Sequence, residues 1–358
     1  ITVNNNSQTG TINYYGLTLS KGTGISAVSN GGTSTTSAVQ YLYNSSSVQS
    51  IAIDATVNSG YTWSTWTKSS GTAPGTFTAG TKSQSIKMGA GSVTLTASAT
   101  YTATPSITVS DHDTFTYSAT GAASYYVSTS STTPSAGSSA ASGTFALDTW
   151  TTATSTGNLT LSSGQTYYVW AKDATSGGNV STNKQTIVVR TVTRSQGTGT
   201  TLTTKYDSSS GTAFTTSPVY VLNGSKVNVS GSANSGYNTV VLKKDSTTIS
   251  AGDQTISANT TFSSSATAND VVITIKENGG NASTTGYGIS LSTSSTSDTG
   301  TKTATSSGAT VTFSEVSNGT YYVWSGKSSS AKTTRIYSGV SITVNNNSQT
   351  GTINYYGL

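Results

Sequence analysis

Residues 1–17 read ITVNNNSQTGTINYYGL, and the same letters return as residues 342–358. Seventeen consecutive identities inside one chain are a duplication. They make the chain one period of 341 residues followed by a second copy of its opening segment. That period is far longer than a solenoid turn or a propeller blade, so each period must hold several folded modules. The expectation is a piece of a long tandem array. Residues 1–17 are then expected to be the closing strands of the preceding repeat's last module, Ile1–Val3 and Thr11–Tyr15 around an Asn-rich turn.

Composition sets the class. Gly, Ser and Thr dominate, charged residues are 8%, and Tyr (20) far outnumbers Phe (6). A disordered chain would combine few β-branched and aromatic residues with a high net charge. Here Thr, Val, Ile and Tyr, the strand formers, are abundant and the net charge is +5. No stretch shows helical periodicity with caps. Short alternating strands between turn signals predict an all-β fold, a tandem array of small Ig-like β-sandwich and β-grasp-like domains.

The same composition excludes several functions. With no cysteine there is no disulfide staple and no thiolate metal site. Lys and Arg are scattered rather than clustered, which argues against a nucleic-acid face. No stretch reaches transmembrane length and no signal peptide is present, so no membrane span is expected in this segment.

Four modules are expected after residues 1–17, at 18–101, 102–190, 191–268 and 269–358. The first opens LTLSKGTGIS (17–26), continues SIAIDATVNSGYTWSTWT (50–67) and ends SVTLTASATY (92–101), with a hairpin placed around Gly89–Gly91. This order resembles the divergent internalin-B-type repeat. The resemblance implies an extracellular β-grasp-like or Ig-like module. The third module echoes it: Gly197-Thr198-Gly199 matches Gly22-Thr23-Gly24, and Asn234-Ser235-Gly236-Tyr237 matches Asn58-Ser59-Gly60-Tyr61. It lacks the tryptophans, with Val240 and Val241 in their region. In the second module, GQTYYVWAKDATSGGNVS (164–181) is similar to the end of a bacterial Ig-like or fibronectin-type domain. In the fourth, Val311-Thr312-Phe313 and Asn318-Gly319-Thr320-Tyr321-Tyr322-Val323 resemble the prealbumin-like, Cna-B-type class of surface modules.

The Cna-B resemblance implies a Lys–Asn isopeptide bond assisted by an acid. Its candidates are Lys276 on the first strand, Asn345 (or Asn346, Asn347 or Asn354) in the closing strands, and Glu315. Tyr61, Trp63 and Trp66 are candidates for a glycan-stacking platform, set against core packing of the same rings. Strict alternation puts Tyr61 and Trp63 on one face and Trp66 on the other. Asp111-His112-Asp113 holds the only histidine. It is read as a polar strand entry, since catalysis or metal binding would need partners the chain does not supply. The few acids also argue against calcium-stiffened linkers. Sequons such as Asn44-Ser45-Ser46, Asn158-Leu159-Thr160 and Asn259-Thr260-Thr261 follow from composition.

The expected role is a structural repeat unit of a long extracellular fibre or adhesin stalk on a bacterial cell surface, not an enzyme, with no cofactor. Its expected partners are neighbouring copies end to end, copies alongside, and an unidentified host or surface ligand. Two alternatives remain open. One is a subunit that polymerises non-covalently by donating the 1–17 strands. The other is a carbohydrate- or receptor-binding module.

Overall fold

The structure, a computed structural model, describes residues 7–43, 49–137, 139–142, 145–152, 156–282, 286–327 and 335–356. The expected strand Ile1–Val3 and the sequon at Asn44 lie outside these residues. Every regular element among them is a β-strand. The chain divides into two compact units, Ile1–Val189 and Arg190–Leu358.

The first unit opens with β1 (Asn13–Lys21), β2 (Ile25–Asn30), β3 (Thr33–Ser34), β4 (Val39–Tyr43), β5 (Ser50–Val57), β6 (Tyr61–Gly71), β7 (Gln84–Lys87) and β8 (Val93–Tyr101). They form two sheets, β4-β1-β8-β6 and β3-β2-β5-β7. Alternation decides which residues face inward. Along β8, Val93, Leu95, Ala97, Ala99 and Tyr101 are buried while the residues between them are not. Val93, Leu95, Ala97 and Ala99 meet Leu17, Leu19, Val28, Ile53 and Trp66 in one core. The same unit continues with β9 (Ser106–Val109), β10 (Thr114–Ser118), β11 (Ser124–Ser128), β12 (Trp150–Thr152), β13 (Gly157–Asn158), β14 (Thr166–Lys172) and the first stretch of β15 (Val180–Gln196). Its sheets are β13-β10-β9 and β12-β11-β14-β15. Phe115, Tyr117, Tyr125, Trp150, Tyr167 and Trp170 are buried there.

In the second unit, the Val192–Gln196 stretch of β15 is joined by β16 (Thr200–Tyr206), β17 (Val219–Leu222), β18 (Lys226–Ala233), β19 (Tyr237–Lys244), β20 (Thr247–Ile249), β21 (Gly252–Thr255) and β22 (Thr260–Ala268). The last sandwich holds β23 (Val271–Glu277), β24 (Gly280–Asn281), β25 (Tyr287–Ser292), β26 (Lys302–Thr305), β27 (Thr310–Phe313), β28 (Gly319–Lys327), β29 (Ile336–Val344) and β30 (Gln349–Tyr355). Its core gathers Val271, Ile273, Tyr287, Phe313, Val323, Ile342 and Ile353.

Three of the sandwiches close in the same way, by parallel pairing of an opening and a closing strand. These pairs are β1 with β8, β15 with β22, and β23 with β30.

The echo between the first and third modules is structural. The Gly22 N–H donates to Ala97 O at 2.8 Å, and the Gly197 N–H donates to Ser264 O at 3.0 Å. A register comparison also finds the missing tryptophan's replacement. Trp66 pairs with Ala97, and Leu242 pairs with Ser264, the residue in Ala97's place. Leu242, rather than Val240 or Val241, therefore takes the seat of Trp66. The lost volume returns across the sheet, where Phe262 stands at the position of Leu95.

Three expectations are corrected. No hairpin forms at Gly89–Gly91: β7 pairs with β5 in one sheet, while β8 pairs with β1 and β6 in the other. The division expected after residue 17 falls inside β1, where Asn13–Leu17 already pair with β4. Asp111–Asp113, read as a strand entry, is the turn that leads from β9 into β10 and lies just outside the strand itself.

Candidate functional site

The residues shared by both echoes converge on one place, the tip of a turn pressed against the next sandwich. Asn58–Tyr61 is closed by the Tyr61 N–H donating to Asn58 O at 3.1 Å. Gly60 sits third in it with φ +82°. That is the left-handed geometry such a turn requires and glycine supplies without strain. The Thr102 N–H then donates to Gly60 O at 2.9 Å. A Cβ on Gly60 would stand 2.4 Å from the carbonyl oxygen of Thr120, at the β10–β11 turn of the following module. The Tyr101 hydroxyl donates to the same Thr120 oxygen at 3.0 Å.

The second unit repeats the step. The Tyr237 N–H donates to Asn234 O at 3.1 Å, and the Asn269 N–H donates to Gly236 O at 2.8 Å. A Cβ on Gly236 would stand 2.7 Å from Glu315 O, between β27 and β28. Ser235 Oγ donates to Ser317 Oγ at 2.7 Å. The second glycine of each GTG segment makes room for the tyrosine. Gly24 and Gly199 have φ +71° and +75°, and a Cβ on either would meet the ring of Tyr61 or Tyr237 within 2.2 Å.

Each tyrosine donates its hydroxyl to a carboxylate of the following module, Tyr61 to Asp173 and Tyr237 to Glu315. Asp173 is held by its own loop, for the Asn179 N–H donates to Oδ1 at 2.6 Å and the Asn179 side chain to Oδ2 at 2.8 Å. Burial opposes the charge on Asp173, but the hydrogen bonds from Tyr61 and Asn179 prevail and hold its carboxyl below the ordinary 3.8. Burial first, and then the bond to Asp173, push the Tyr61 hydroxyl up to about 12. Glu315 is exposed, so the second junction is the wetter of the two.

These shifts fix two pH edges. A lowered carboxylate pKa gives stability that is complete above 3.8 and disappears as pH falls through the folded value. A raised tyrosine pKa gives stability that is complete below 10.0 and disappears as pH climbs toward about 12. The expected result is that the urea midpoint of wild type exceeds that of Tyr61→Phe by a constant amount from roughly pH 5 to 9. The gap should narrow in acid below pH 4 and again above pH 10. A gap that stays flat into both extremes would show that the pair contributes nothing through ionisation.

The other candidate residues are placed as follows. Trp66 is fully buried, and its indole N–H donates to Lys82 O at 3.0 Å. Trp63 is half-buried and donates to Gly80 O at 2.8 Å. A register shift between Trp63 and Thr65 cancels the alternation and brings the two rings edge to face, 5.6 Å apart. Tyr61 belongs to the junction. The three rings therefore do not form an open stacking face.

The isopeptide candidates are not brought together. Phe313 pairs with Val271, so Glu315 lies beyond that end of β23, while Lys276 is five residues along it. Five residues of strand are roughly 16 Å. Asn345 follows β29 and is exposed. Lys276 does pair in register with Asn354, but Asn354 is exposed on the outer face. The adjacent Glu277 accepts the hydroxyl of Tyr287.

His112 lies 3.7 Å from Asp113 within the turn. Among the described residues no group of three His, Asp or Glu side chains is placed to hold a metal ion. Among them, too, no helix is long and apolar enough to cross a membrane. One open groove of about 320 Å³ is lined by Ser29, Gly31, Asp54 and Ser85, without a constellation for chemistry.

No known protein family matches the chain, and no curated protein matches it. Among the solved structures that show slight likeness are two of bacterial proteins. One is the Bacillus anthracis TIE protein, at 6% identity and a TM-score of 0.22, over 96% of this chain and 50% of that one. The other is BcpA, the major pilin subunit of Bacillus cereus, at 10% identity and a TM-score of 0.23, over 97% of this chain and 99% of that one. The chain thus spans half the length of the TIE protein structure, and neither likeness is close enough to assign it a role.

Proposed function

We propose that the chain is a structural repeat unit of a long extracellular fibre or stalk on a cell surface. One observation carries this reading: the chain builds the same step between consecutive sandwiches twice, Gly60–Tyr61 onto Thr120 and Asp173, and Gly236–Tyr237 onto Glu315. The two receiving modules differ in sequence, so what is reused is a way of adding one module to the next. Each sandwich buries its own core, and length grows by copying such steps. The resemblance of the modules to bacterial surface repeats agrees with this role, as does a weakly charged surface rich in Ser and Thr. No catalytic role is proposed, and the buried Trp66 argues against a glycan platform at Tyr61, Trp63 and Trp66.

The test is antibody labelling of native cell surfaces under the electron microscope, followed by electrophoresis of the labelled material under strong denaturant. Labels recurring along filaments, with a species many times 36.3 kDa, are the expected result. A soluble chain near 36.3 kDa with no filaments would overturn it.

A further inference from the structure

The two copies of the opening segment stand in opposite environments. Ile353 is 3% exposed in the core of the last sandwich, whereas its twin Ile12 is 69% exposed. Tyr355 packs against that core with its ring 4.6 Å from Tyr287, whereas its twin Tyr14 is 59% exposed. The pattern then reverses. Tyr15 packs against the core of the first sandwich, whereas its twin Tyr356 is 77% exposed. Each copy therefore uses half of the same sequence. The early half, SQTGTINY, fits the last sandwich, and the late half fits the first.

We infer that residues 7–14 are a closing strand for β23 of a second copy of this chain, seated as residues 348–355 are seated here. The seat is specific. Gln349–Tyr355 run parallel to Val271–Glu277, the Gln349 N–H donates to Asp270 O at 2.7 Å, and the Asn278 N–H donates to Tyr355 O at 2.9 Å. At Gly351 a Cβ would come within 2.7 Å of the end of the Ile342 side chain, so glycine enters there without displacing it, and Gly10 supplies that glycine. Tyr14 pairs in register with Leu42, which is itself 43% exposed, so an apolar edge waits beside the strand. The segment then joins two sandwiches at once, its first half closing the neighbour's last and its second half opening its own first. Pairing by strand addition gives main-chain affinity, with alternate side chains setting specificity.

This rests on the reading of the chain as a repeat unit only in taking the neighbour to be another copy. The test uses the full chain. Ile353→Asp expels the chain's own closing strand and leaves the seat to the intact residues 7–14 of other molecules. Sedimentation should then show concentration-dependent assemblies, while the double variant Ile12→Asp with Ile353→Asp stays monomeric. A synthetic peptide of residues 7–14 should bind the double variant. The same peptide carrying Ile12→Asp should bind about tenfold to a hundredfold more weakly, the worth of one buried isoleucine. If expulsion melts the last sandwich, the wild-type peptide should restore its near-UV signal and the substituted peptide should not. The inference is overturned if Ile353→Asp is as monomeric as the double variant, or if the two peptides act alike. These readings need no filament, so they fail independently of the microscopy.

Discussion

Trp66→Ala should lower the stability of the first unit by about 3–5 kcal/mol, the range for deleting a fully buried aromatic. Trp66 fills the space between the sheets of the first sandwich, against Trp63 and beside Ala97, and loss of its indole N–H would leave the Lys82 carbonyl without that donor. The melting temperature should fall by on the order of 10 °C. Trp63→Ala should cost less than half as much, since that ring is half-buried. Thermal unfolding of both variants, read by circular dichroism, checks the order. A stacking platform predicts the reverse pattern, with both variants near wild-type stability and glycan binding lost. In the third module Leu242→Ala should be felt less, because the substitution removes less volume and Phe262 remains.

Gly60→Ala is the second large effect, and it separates docking from backbone strain. Any Cβ at φ +82° is strained by about 1–3 kcal/mol. Gly31→Ala is the control, because Gly31 has φ +61° and nothing within 4 Å of the added carbon. At Gly60 the Cβ also strikes the Thr120 carbonyl, a backbone atom that cannot swing aside. Overpacking of this kind costs a further ~1–3 kcal/mol. Gly60→Ala should therefore be clearly worse than Gly31→Ala, and the two modules of the first unit should melt as separate transitions. Gly236→Ala should do the same in the second unit, against Glu315. Equal effects at Gly60 and Gly31 would mean that the tip contributes nothing to coupling.

Much of this is legible in the amino-acid sequence. The strands of the first and third modules follow alternation, and the paired GTG and NSGY segments coincide with the junction tips. They are legible because positive-φ turns and close backbone approaches leave a glycine in the letters. What the letters hide is tertiary. The register shift after Trp63 reverses which face Trp66 takes, and a one-residue slip has no local signature. The turn of Gly89–Gly91 looks like a hairpin because hairpins and crossings between sheets use the same turn residues. Sequence reasoning misses Asp173 as a junction acid altogether, and it assigns Glu315 to Lys276 instead. Their tyrosines lie 112 and 78 residues away, and spacing along the chain carries no information at that distance.

The parallel closure of the sandwiches has a mechanical consequence. Because β1 and β8 run the same way, the chain enters at one end of their ladder and leaves at the other. Tension on the chain then slides the two strands along each other. It does not peel them apart. All the rungs between Leu17↔Val93 and Lys21↔Ala97 are strained together, and none can yield first. The longer ladder from Val271↔Gln349 to Glu277↔Tyr355 is loaded in the same shear. Each of the three sandwiches closed in this way meets a pull with a whole ladder rather than with its weakest single bond.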